Sequence, residues 1–463
     1  MEKQIIIKDI IEKCKGKLIQ GDIDLVFENL CKDTRILQPG EIYIGIQGEK
    51  FNGSTLYEQA LEKGAVACLL QDVEIEKEVL EKYPNSTIVL VENTVKALQE
   101  LAKYKRSLYN IPVVAITGSV GKTSTKDMVA SVMSQKYKVL KTQGNYNNEI
   151  GLPLTLLSLK DEEAVVLEMG MNSFGEISLL TNIAKPDVAV ITNIGTAHIG
   201  MLGSRENILK AKLEILEGLN PKGTVVINYD NDLLNDWYKK EKEHYKIITY
   251  GLSLGSDIMG KDAQFNENGS ECKAVIKEKE YDVHIPVGGE HFVSNSLCAI
   301  SVAEIFNIPM EKALLGISNF ELTKKRMEIK TSNCGAMVIN DCYNANYDSM
   351  KAALGYLGKL SNATKIAVLG DMLELGEYSK ELHENVGMEV VKDNIDLLIC
   401  VGKEAEYIAK KSQELGFNNE NIFLCTSNKQ AINILKEKLK KGDAVLLKAS
   451  NGLNFTEICE AIC

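Results

Sequence analysis

A strand, a glycine-bracketed turn and the start of a helix follow one another over residues 113–124, in the sequence Val-Val-Ala-Ile-Thr-Gly-Ser-Val-Gly-Lys-Thr-Ser. Gly118 and Gly121 allow backbone N–H groups to face a phosphate at close range. Lys122 adds a cation, and the hydroxyl of Thr123 can ligate Mg²⁺. The match is to the shorter form of the phosphate loop, GxxGK[ST]. It predicts a bound nucleotide, and the alternative is a glycine-rich turn beside a surface lysine.

The length and the charge of the chain limit its organisation and its partners. Its 463 residues exceed one ordinary core, so two to four domains are expected. The net charge of −11 disfavours nucleic acid or an anionic membrane as a partner.

None of the eleven cysteines belongs to a Cys-x-x-Cys pair, which favours free thiols over a disulfide framework or a zinc site. Early charges in Met1–Asp9 and the lack of any run of about 18 apolar residues favour a cytoplasmic protein without a signal peptide or membrane span.

Apolar runs alternate with helical patterns along most of the chain, which predicts α/β domains with parallel sheets. Residues 1–92 are predicted to form a small α/β domain, residues 93–322 a central parallel-sheet domain, and residues 323–463 a Rossmann-like domain. Short alternating segments over residues 247–290, with a turn at Asn266–Gly269, predict antiparallel hairpins appended to the central domain. Five strands are predicted in the third domain: Ala336–Asn340, Lys365–Leu369, Leu397–Val401, Asn421–Cys425 and Ala444–Lys448.

Polar residues follow two further predicted strands. Glu168 follows Ala164–Leu167, Asn193 lies at the end of Asp187–Ile194, and His198 follows that strand. Because α/β sheets bind ligands at the carboxyl ends of their strands, these residues are candidates for metal and nucleotide contacts. A solvated glutamate and a structural histidine are the alternatives, and spacing does not separate them.

These features belong to a longer series of motifs. The motifs are Asp33-Thr-Arg35, Thr117-Gly-Ser-Val-Gly-Lys-Thr123, Gly144-Asn-Tyr-Asn-Asn-Glu-Ile-Gly-Leu-Pro153, Glu168-Met-Gly170, Asn193-Ile-Gly-Thr-Ala-His198, Ala211-Lys-Leu-Glu-Ile215, Gly289-Glu-His-Phe-Val-Ser-Asn295, Asp341-Cys-Tyr-Asn-Ala-Asn346 and Gly370-Asp-Met-Leu-Glu-Leu-Gly376. In this order and spacing the chain resembles the Mur ligase family, over nearly its whole length. The last two motifs resemble those of the members that add D-alanyl-D-alanine.

The resemblance implies an N-terminal domain that binds a UDP-linked substrate, a central ATPase domain, and a C-terminal domain that closes over ATP and brings in the amine. By motif matching, ATP would be bound by Gly118, Ser119, Val120, Gly121, Lys122, Thr123, Ser124, His291, Asn295, Arg326 and Asp341. The UDP-linked substrate would be bound by Thr34, Arg35, Asn145 and Asn147. Two Mg²⁺ ions would be held by Thr123, Glu168, His198 and Lys212, the lysine as a carbamate. The catalytic residues would be Lys122, Lys212, His198 and Arg326.

Lys212 lies in a predicted helix, Ile208–Leu216, where a solvated or salt-bridged lysine is the ordinary expectation. The resemblance places it at the lysine that the family carbamylates. An ammonium has no lone pair for a metal, whereas a carbamate supplies an anionic oxygen. Addition of CO₂ requires the neutral amine, which burial and nearby cations favour.

The resemblance implies that a monomeric enzyme of peptidoglycan synthesis joins D-alanyl-D-alanine to UDP-N-acetylmuramoyl-tripeptide through an acyl phosphate. Three alternatives stay open. A folylpolyglutamate synthase and another Mur-type amino-acid ligase share the ATPase core, and a nucleotide-hydrolysing switch shares the phosphate loop. Asp341–Asn346 and Gly370–Gly376 argue against the synthase. The segment Asn428-Lys-Gln-Ala431 lacks the aspartate that a guanine-reading switch carries. Lys448–Asn451 departs from the family pattern, so the sequence predicts no contacts to the amine substrate.

Overall fold

The computed structural model of the chain describes residues 3–27, 29–48, 50–266, 269–361 and 363–463. The chain divides into two compact units. The first consists of Met1–Ala115, Tyr137–Val188 and Glu214–Gly223, and the second of Ile116–Lys136, Ala189–Leu213 and Thr224–Cys463. The predicted domain boundaries at residues 92 and 322 stay a prediction.

The secondary structure alternates between strands and helices through most of the chain. The strands are β1 (Ile5–Ile6), β2 (Lys17–Gln20), β3 (Val26–Phe27), β4 (Leu30–Cys31), β5 (Ile42–Ile44), β6 (Ala67–Leu70), β7 (Thr87–Leu90), β8 (Val113–Thr117), β9 (Val139–Lys141), β10 (Ala164–Glu168), β11 (Val188–Ile191), β12 (Thr224–Asn228), β13 (Lys246–Gly251), β14 (Ile258–Asn266), β15 (Gly269–Ile276), β16 (Lys279–Ile285), β17 (Glu328–Thr331), β18 (Met337–Asn340), β19 (Lys365–Gly370), β20 (Leu397–Val401), β21 (Ile422–Cys425) and β22 (Ala444–Lys448). The helices are α1 (Ile7–Cys14), α2 (Tyr57–Glu62), α3 (Lys77–Lys82), α4 (Thr94–Ser107), α5 (Lys122–Met133), α6 (Gly151–Leu157), α7 (Glu176–Ala184), α8 (Ile199–Leu202), α9 (Arg205–Leu213), α10 (Asp232–Glu241), α11 (Glu290–Ile305), α12 (Met310–Ser318), α13 (Tyr347–Lys359), α14 (Ser379–Lys392), α15 (Glu406–Glu414), α16 (Asn428–Lys438) and α17 (Thr456–Ile462).

The first unit contains a five-stranded sheet in the order β2-β7-β6-β5-β4. Strands β4 to β7 run parallel, and β2 pairs antiparallel with β7. Every residue of β5 and β6 is buried, as expected for inner strands covered on both faces. Tyr43, Tyr57, Cys68 and Ile88 share one apolar core. The N-terminal residues therefore form the small α/β arrangement that the sequence predicts. Elsewhere in this unit, β9 and β10 pair in parallel.

In the second unit, β12, β13 and β14 pair in parallel, and β14, β15 and β16 form an antiparallel meander. The meander confirms the predicted hairpins. The prediction was wrong for β13, which continues the parallel sheet because its run Ile-Ile-Thr-Tyr is apolar enough to be buried rather than solvated on one side. Asn266 pairs with Gly269, and residues 267 and 268 of that predicted turn lie outside the described residues.

The C-terminal sheet of the second unit has six strands in the order β17-β18-β22-β19-β20-β21. The five predicted strands are confirmed as a parallel array. Strand β17 was missed and pairs antiparallel at the edge, where its charged Glu328 and Lys330 are tolerated. Ile366, Val368 and Val445 lie in the core beneath these strands. This sheet confirms the Rossmann-like prediction.

The helix around Lys212 differs from its prediction. The α-helix covers Arg205–Leu213 and passes into a 3₁₀ helix over Glu214–Gly218, instead of one helix over residues 208–216. Among the helices in the described residues, none has both the length and the apolar character needed to cross a membrane.

Candidate active site

The phosphate loop joins the fully buried strand β8 to the first turn of α5. Gly121 has a φ of +80° and Gly118 a φ of +151°, which side chains rarely tolerate. A Cβ atom on Gly118 would lie 1.9 Å from Oγ1 of Thr192. Glycine is therefore required at residue 118 for the loop to pass the end of β11.

Asn193 fixes the path of the phosphate loop. Its Oδ1 accepts hydrogen bonds from the backbone N–H of Ser119 (3.1 Å) and of Val120 (3.0 Å). Lys122 folds back, and its Nζ donates to the carbonyl oxygens of Gly118 (2.8 Å) and Ser119 (3.4 Å). The loop thus holds its shape through its own carbonyls and one amide side chain. The sequence drew attention to Asn193 but did not predict this contact.

A cavity of about 460 Å³ lies beside the loop, wholly within the second unit. Eight of the predicted ATP-binding residues line it: Val120, Gly121, Thr123, Ser124, His291, Asn295, Arg326 and Asp341. Gly118, Ser119 and Lys122 belong to the same loop but are not part of the cavity wall. The structure therefore brings together residues from the phosphate loop, α11 and the segment around β17 and β18.

Arg326 lies at the phosphate end of the cavity. Its Nη2 donates to Oγ1 of Thr123 over 3.2 Å, and its guanidinium lies 3.9 Å from the centre of the Tyr343 ring. Its Nε is buried and has no hydrogen-bond partner in the part of the chain that the structure describes. A buried donor without a partner costs free energy, so an anionic ligand here would be stabilised.

Asp341 and Lys448 form a buried ion pair at the cavity wall. Oδ1 of Asp341 also accepts from the backbone N–H of Met327 (3.1 Å), and Nζ of Lys448 donates to the carbonyl oxygen of Asn344 (3.2 Å). The lysine orients the aspartate carboxylate. The sequence predicts Lys448 as the end of a strand and the start of a divergent segment, but not this ion pair.

Asn295 and His291 occupy the first turns of α11. Oδ1 of Asn295 accepts from Oγ1 of Thr125 (3.0 Å), which leaves the buried Nδ2 without a partner among the residues described. This donor is available to a hydrogen-bond acceptor such as a base nitrogen. His291 is partly exposed, but desolvation lowers its pKa to about 4, with Asp341 opposing and Lys448 reinforcing the shift. Its ring is therefore neutral at pH 7.

His198 and Lys212 form the predicted metal end of the site. Desolvation, then the charges of Lys122 and Lys212, lower the pKa of His198 to about 4. Burial and the charge of Lys122 lower the pKa of Lys212 well below its usual range. Nδ1 of His198 is buried and lies 3.2 Å from Oε2 of Glu374, but at angles that give no hydrogen bond. Neutral His198 therefore keeps lone-pair density that a cation could use.

The predicted metal ligands of the second unit do not form a cluster of carboxylates. No cluster of three or more His, Cys, Asp or Glu that could hold a metal occurs in the described ranges. The predicted ligands in this unit are the hydroxyl of Thr123, the ring of His198 and Lys212 as a carbamate, and these roles stay predictions.

Glu168 lies in the first unit as the last residue of β10. Its Oε1 accepts from Nδ2 of Asn147 (2.8 Å), and its backbone N–H donates to Oγ1 of Thr142 (3.0 Å). Its Oε2 is buried and finds no hydrogen-bond partner within the residues that are described. Asn147 therefore orients Glu168, while the predicted contact of Asn147 with the UDP-linked substrate stays a prediction.

The other predicted substrate residues also belong to the first unit. The side chain of Thr34 is buried against Gln59, and its carbonyl oxygen accepts from Nζ of Lys63 (2.6 Å). Arg35 is exposed and pairs with Asp33, and this hydrogen bonding holds the pKa of the Asp33 carboxyl well below its usual range. Asn145 is exposed. Their binding roles stay predictions.

Sequence reasoning missed Asp348 completely. Oδ2 of Asp348 accepts from the backbone N–H of Thr196 (2.7 Å) and from its Oγ1 (2.9 Å). Asp348 also lines the cavity. Asp348 lies in the first turn of α13, two residues after the N-cap Asn346. An acidic residue there is typical of a helix start, so the sequence contains no signal that indicates a functional role.

The fold and the cavity define a nucleotide-binding protein of the phosphate-loop class, with a Rossmann-like domain that supplies part of the same cavity. Family comparison identifies a Mur ligase family catalytic domain over residues 27–106, a Mur ligase middle domain over residues 116–303, and a Mur ligase glutamate ligase domain over residues 325–451. The chain belongs to the Mur ligase family.

Three relatives illustrate the similarity. UDP-N-acetylmuramoyl-tripeptide–D-alanyl-D-alanine ligase of Bacillus subtilis is 39% identical over 98% of this chain and 97% of its own length. A crystal structure of MurF from Acinetobacter baumannii has a TM-score of 0.88, with 26% identity over 99% of this chain and 98% of that chain. The MurF ligase of Thermotoga maritima, solved with ADP, has a TM-score of 0.81 and 28% identity, over 94% of this chain and 96% of that chain.

Proposed function

We propose that this chain catalyses the ATP-dependent addition of D-alanyl-D-alanine to UDP-N-acetylmuramoyl-tripeptide in peptidoglycan synthesis. The supporting observation is the 39% identity to a ligase of that name over 98% of the chain. The similarity includes the N-terminal residues, which are predicted to bind the UDP-linked substrate. A folylpolyglutamate synthase would not need such a domain. We propose the cytoplasm as its location and a monomer as its state.

The reaction needs an activated carboxylate, because a carboxylate does not react with an amine at neutral pH. A carboxylate oxygen of the tripeptide attacks the γ-phosphorus of ATP, the bond to the β-phosphate oxygen breaks, and ADP leaves. The amine of the dipeptide then attacks the acyl carbon and loses a proton. Phosphate leaves with the former carboxylate oxygen. The products are the UDP-linked pentapeptide, ADP and phosphate.

The chain's own residues position the phosphates and neutralise charge. Negative charge spreads over the transferred phosphoryl group during the reaction. The unpartnered Nε of Arg326 and the cation of Lys122 would stabilise this charge. The unpartnered Nδ2 of Asn295 is suited to the base.

We further propose that Thr123, His198 and carbamylated Lys212 hold Mg²⁺, and Glu168 as a ligand stays a prediction. When bound, Mg²⁺ supplies positive charge to the phosphate oxygens. The carbamate forms when the neutral Nζ of Lys212 adds to CO₂ and loses a proton. Burial and the charge of Lys122 lower the pKa of Lys212, which supports this step because it favours the neutral amine.

Product analysis tests the function. The purified chain is incubated with ATP, Mg²⁺ and D-alanyl-D-alanine, together with the UDP-linked tripeptide carrying either lysine or diaminopimelate at its third position. We expect ADP release and a UDP-linked pentapeptide by mass spectrometry with at least one of the two. ADP release with a folate and glutamate would favour the synthase instead, and release without any acceptor would favour the switch.

A further inference from the structure

A short segment after β11, Thr192–Thr196, is bonded to the phosphate loop at several points. Besides the contacts of Asn193 with the loop, Oγ1 of Thr192 donates to the carbonyl oxygen of Val120 over 2.7 Å. The backbone N–H of Gly195 donates to Oγ of Ser119 over 2.9 Å. The position of this segment therefore sets the position of the loop.

The other side of the same segment is held by α13, a helix of the C-terminal sheet region. The carboxylate of Asp348 accepts two hydrogen bonds from Thr196, over 2.7 and 2.9 Å. Hydrogen bonds to a charged acceptor are about twice as strong as those between neutral groups. The contact is tight as well, because a Cβ atom on Gly195 would lie 2.3 Å from Oδ2 of Asp348.

The C-terminal end of α13 also packs against earlier residues of the second unit, Phe265 and Gly288. The buried ring of Tyr356 stacks on Phe265 with 6.5 Å between ring centres, and Nζ of Lys359 lies 4.1 Å from the centre of the Phe265 ring. A Cβ atom on Gly288 would lie 2.4 Å from Tyr356. The helix is thus fixed at both ends, with the nucleotide cavity along its length.

We propose that Asp348 is a positioning residue that couples the seating of α13 to the geometry of the phosphate loop, through Thr196. The connection runs from Asp348 to Thr196, and from the neighbouring Gly195 to Ser119. When α13 leaves the cavity these hydrogen bonds break, and the segment that orients the loop amides is released. This inference rests on the proposed function in one respect only, which is that the cavity binds a nucleotide.

Calorimetric titration of the full chain with ADP and Mg²⁺ tests the proposal without any ligation step. Asp348→Ala removes both hydrogen bonds, and we expect ADP affinity to fall about tenfold to a hundredfold. Asp348→Asn keeps an oxygen that can accept both, so its affinity should stay within about fivefold of the wild type. This variant also guards against a simple loss of folding in the alanine variant.

A double-mutant cycle with Thr196→Val separates coupling from general destabilisation. If the carboxylate acts through Thr196, the double variant binds ADP no more weakly than Asp348→Ala alone. Additive losses, or wild-type affinity in Asp348→Ala, would overturn the proposal. Glu414→Ala, an exposed carboxylate paired with Lys411 on α15, serves as the matched control and should change nothing.

Steady-state kinetics provide a second readout. Asp348→Ala should raise the KM for ATP and lower kcat, while the KM for the UDP-linked substrate stays unchanged. An equal rise in both KM values would indicate a merely structural role and would contradict the coupling. Wild-type protein that binds no ADP would refute the proposed function instead, so the two failures are distinguishable.

Discussion

Arg326 donates a hydrogen bond to Oγ1 of Thr123 over 3.2 Å, although 203 positions separate the two residues in the sequence. Thr123 lies in the first turn of the helix after the phosphate loop, and Arg326 precedes the C-terminal sheet. A guanidinium is therefore placed beside the hydroxyl that is proposed to ligate Mg²⁺. The guanidinium can therefore offset the charge of the transferred phosphoryl group.

Arg326→Lys should lower kcat about tenfold to a hundredfold, because lysine keeps the charge but loses the planar donor fork and its stacking on Tyr343. We expect the KM for D-alanyl-D-alanine to change little. Initial-rate measurements of ADP release with each substrate varied in turn check this. Unchanged kcat in the variant would show that position 326 contributes only structure.

Lys122→Ala should lower kcat about a hundredfold to a thousandfold, since it removes the cation of the phosphate loop. Binding of the UDP-linked substrate should be retained, because its predicted residues Thr34 and Arg35 belong to a different part of the chain. Turnover and equilibrium binding of that substrate are measured on the same preparation. Near-normal ligation would remove the phosphate-loop assignment.

The buried strands and the phosphate loop could be predicted because their signals are local. An unbroken apolar run such as Val113–Ile116 fits a covered parallel strand, and the glycine spacing after it permits only a few backbone paths. Contacts between distant segments leave no such pattern. Asp348 meets Thr196 across 152 positions, and its local sequence shows only a helix cap. The strand Glu328–Thr331 was missed because its alternating charges are typical of exposed turns.

The stability of the chain should fall as the pH is lowered from about 6.5 to about 4, in part because of His291. Its folded-state pKa is lowered to about 4, so between these values the unfolded chain binds a proton that the folded chain does not. The resulting loss of stability is absent above pH 6.5 and complete below pH 4, where it reaches up to about 3 kcal/mol. Urea unfolding of the metal-free protein at several pH values measures it. His291→Gln should flatten the dependence, and an unchanged slope would contradict a neutral His291 ring in the folded chain.

Lys212→Ala should be nearly inactive, because it removes the nitrogen that forms the carbamate. Acetate or formate should partly restore turnover by supplying an oxygen ligand in the vacated space. Activity is complemented by a direct measurement, in which the wild-type chain is equilibrated with ¹³C-labelled CO₂ and its carbamate carbon is observed by NMR. Lys212→Arg is the matched control, since its guanidinium keeps a charge but cannot add CO₂ near pH 7. A variant with full activity, or a wild-type spectrum without the additional carbamate signal, would show that Lys212 acts as a plain amine.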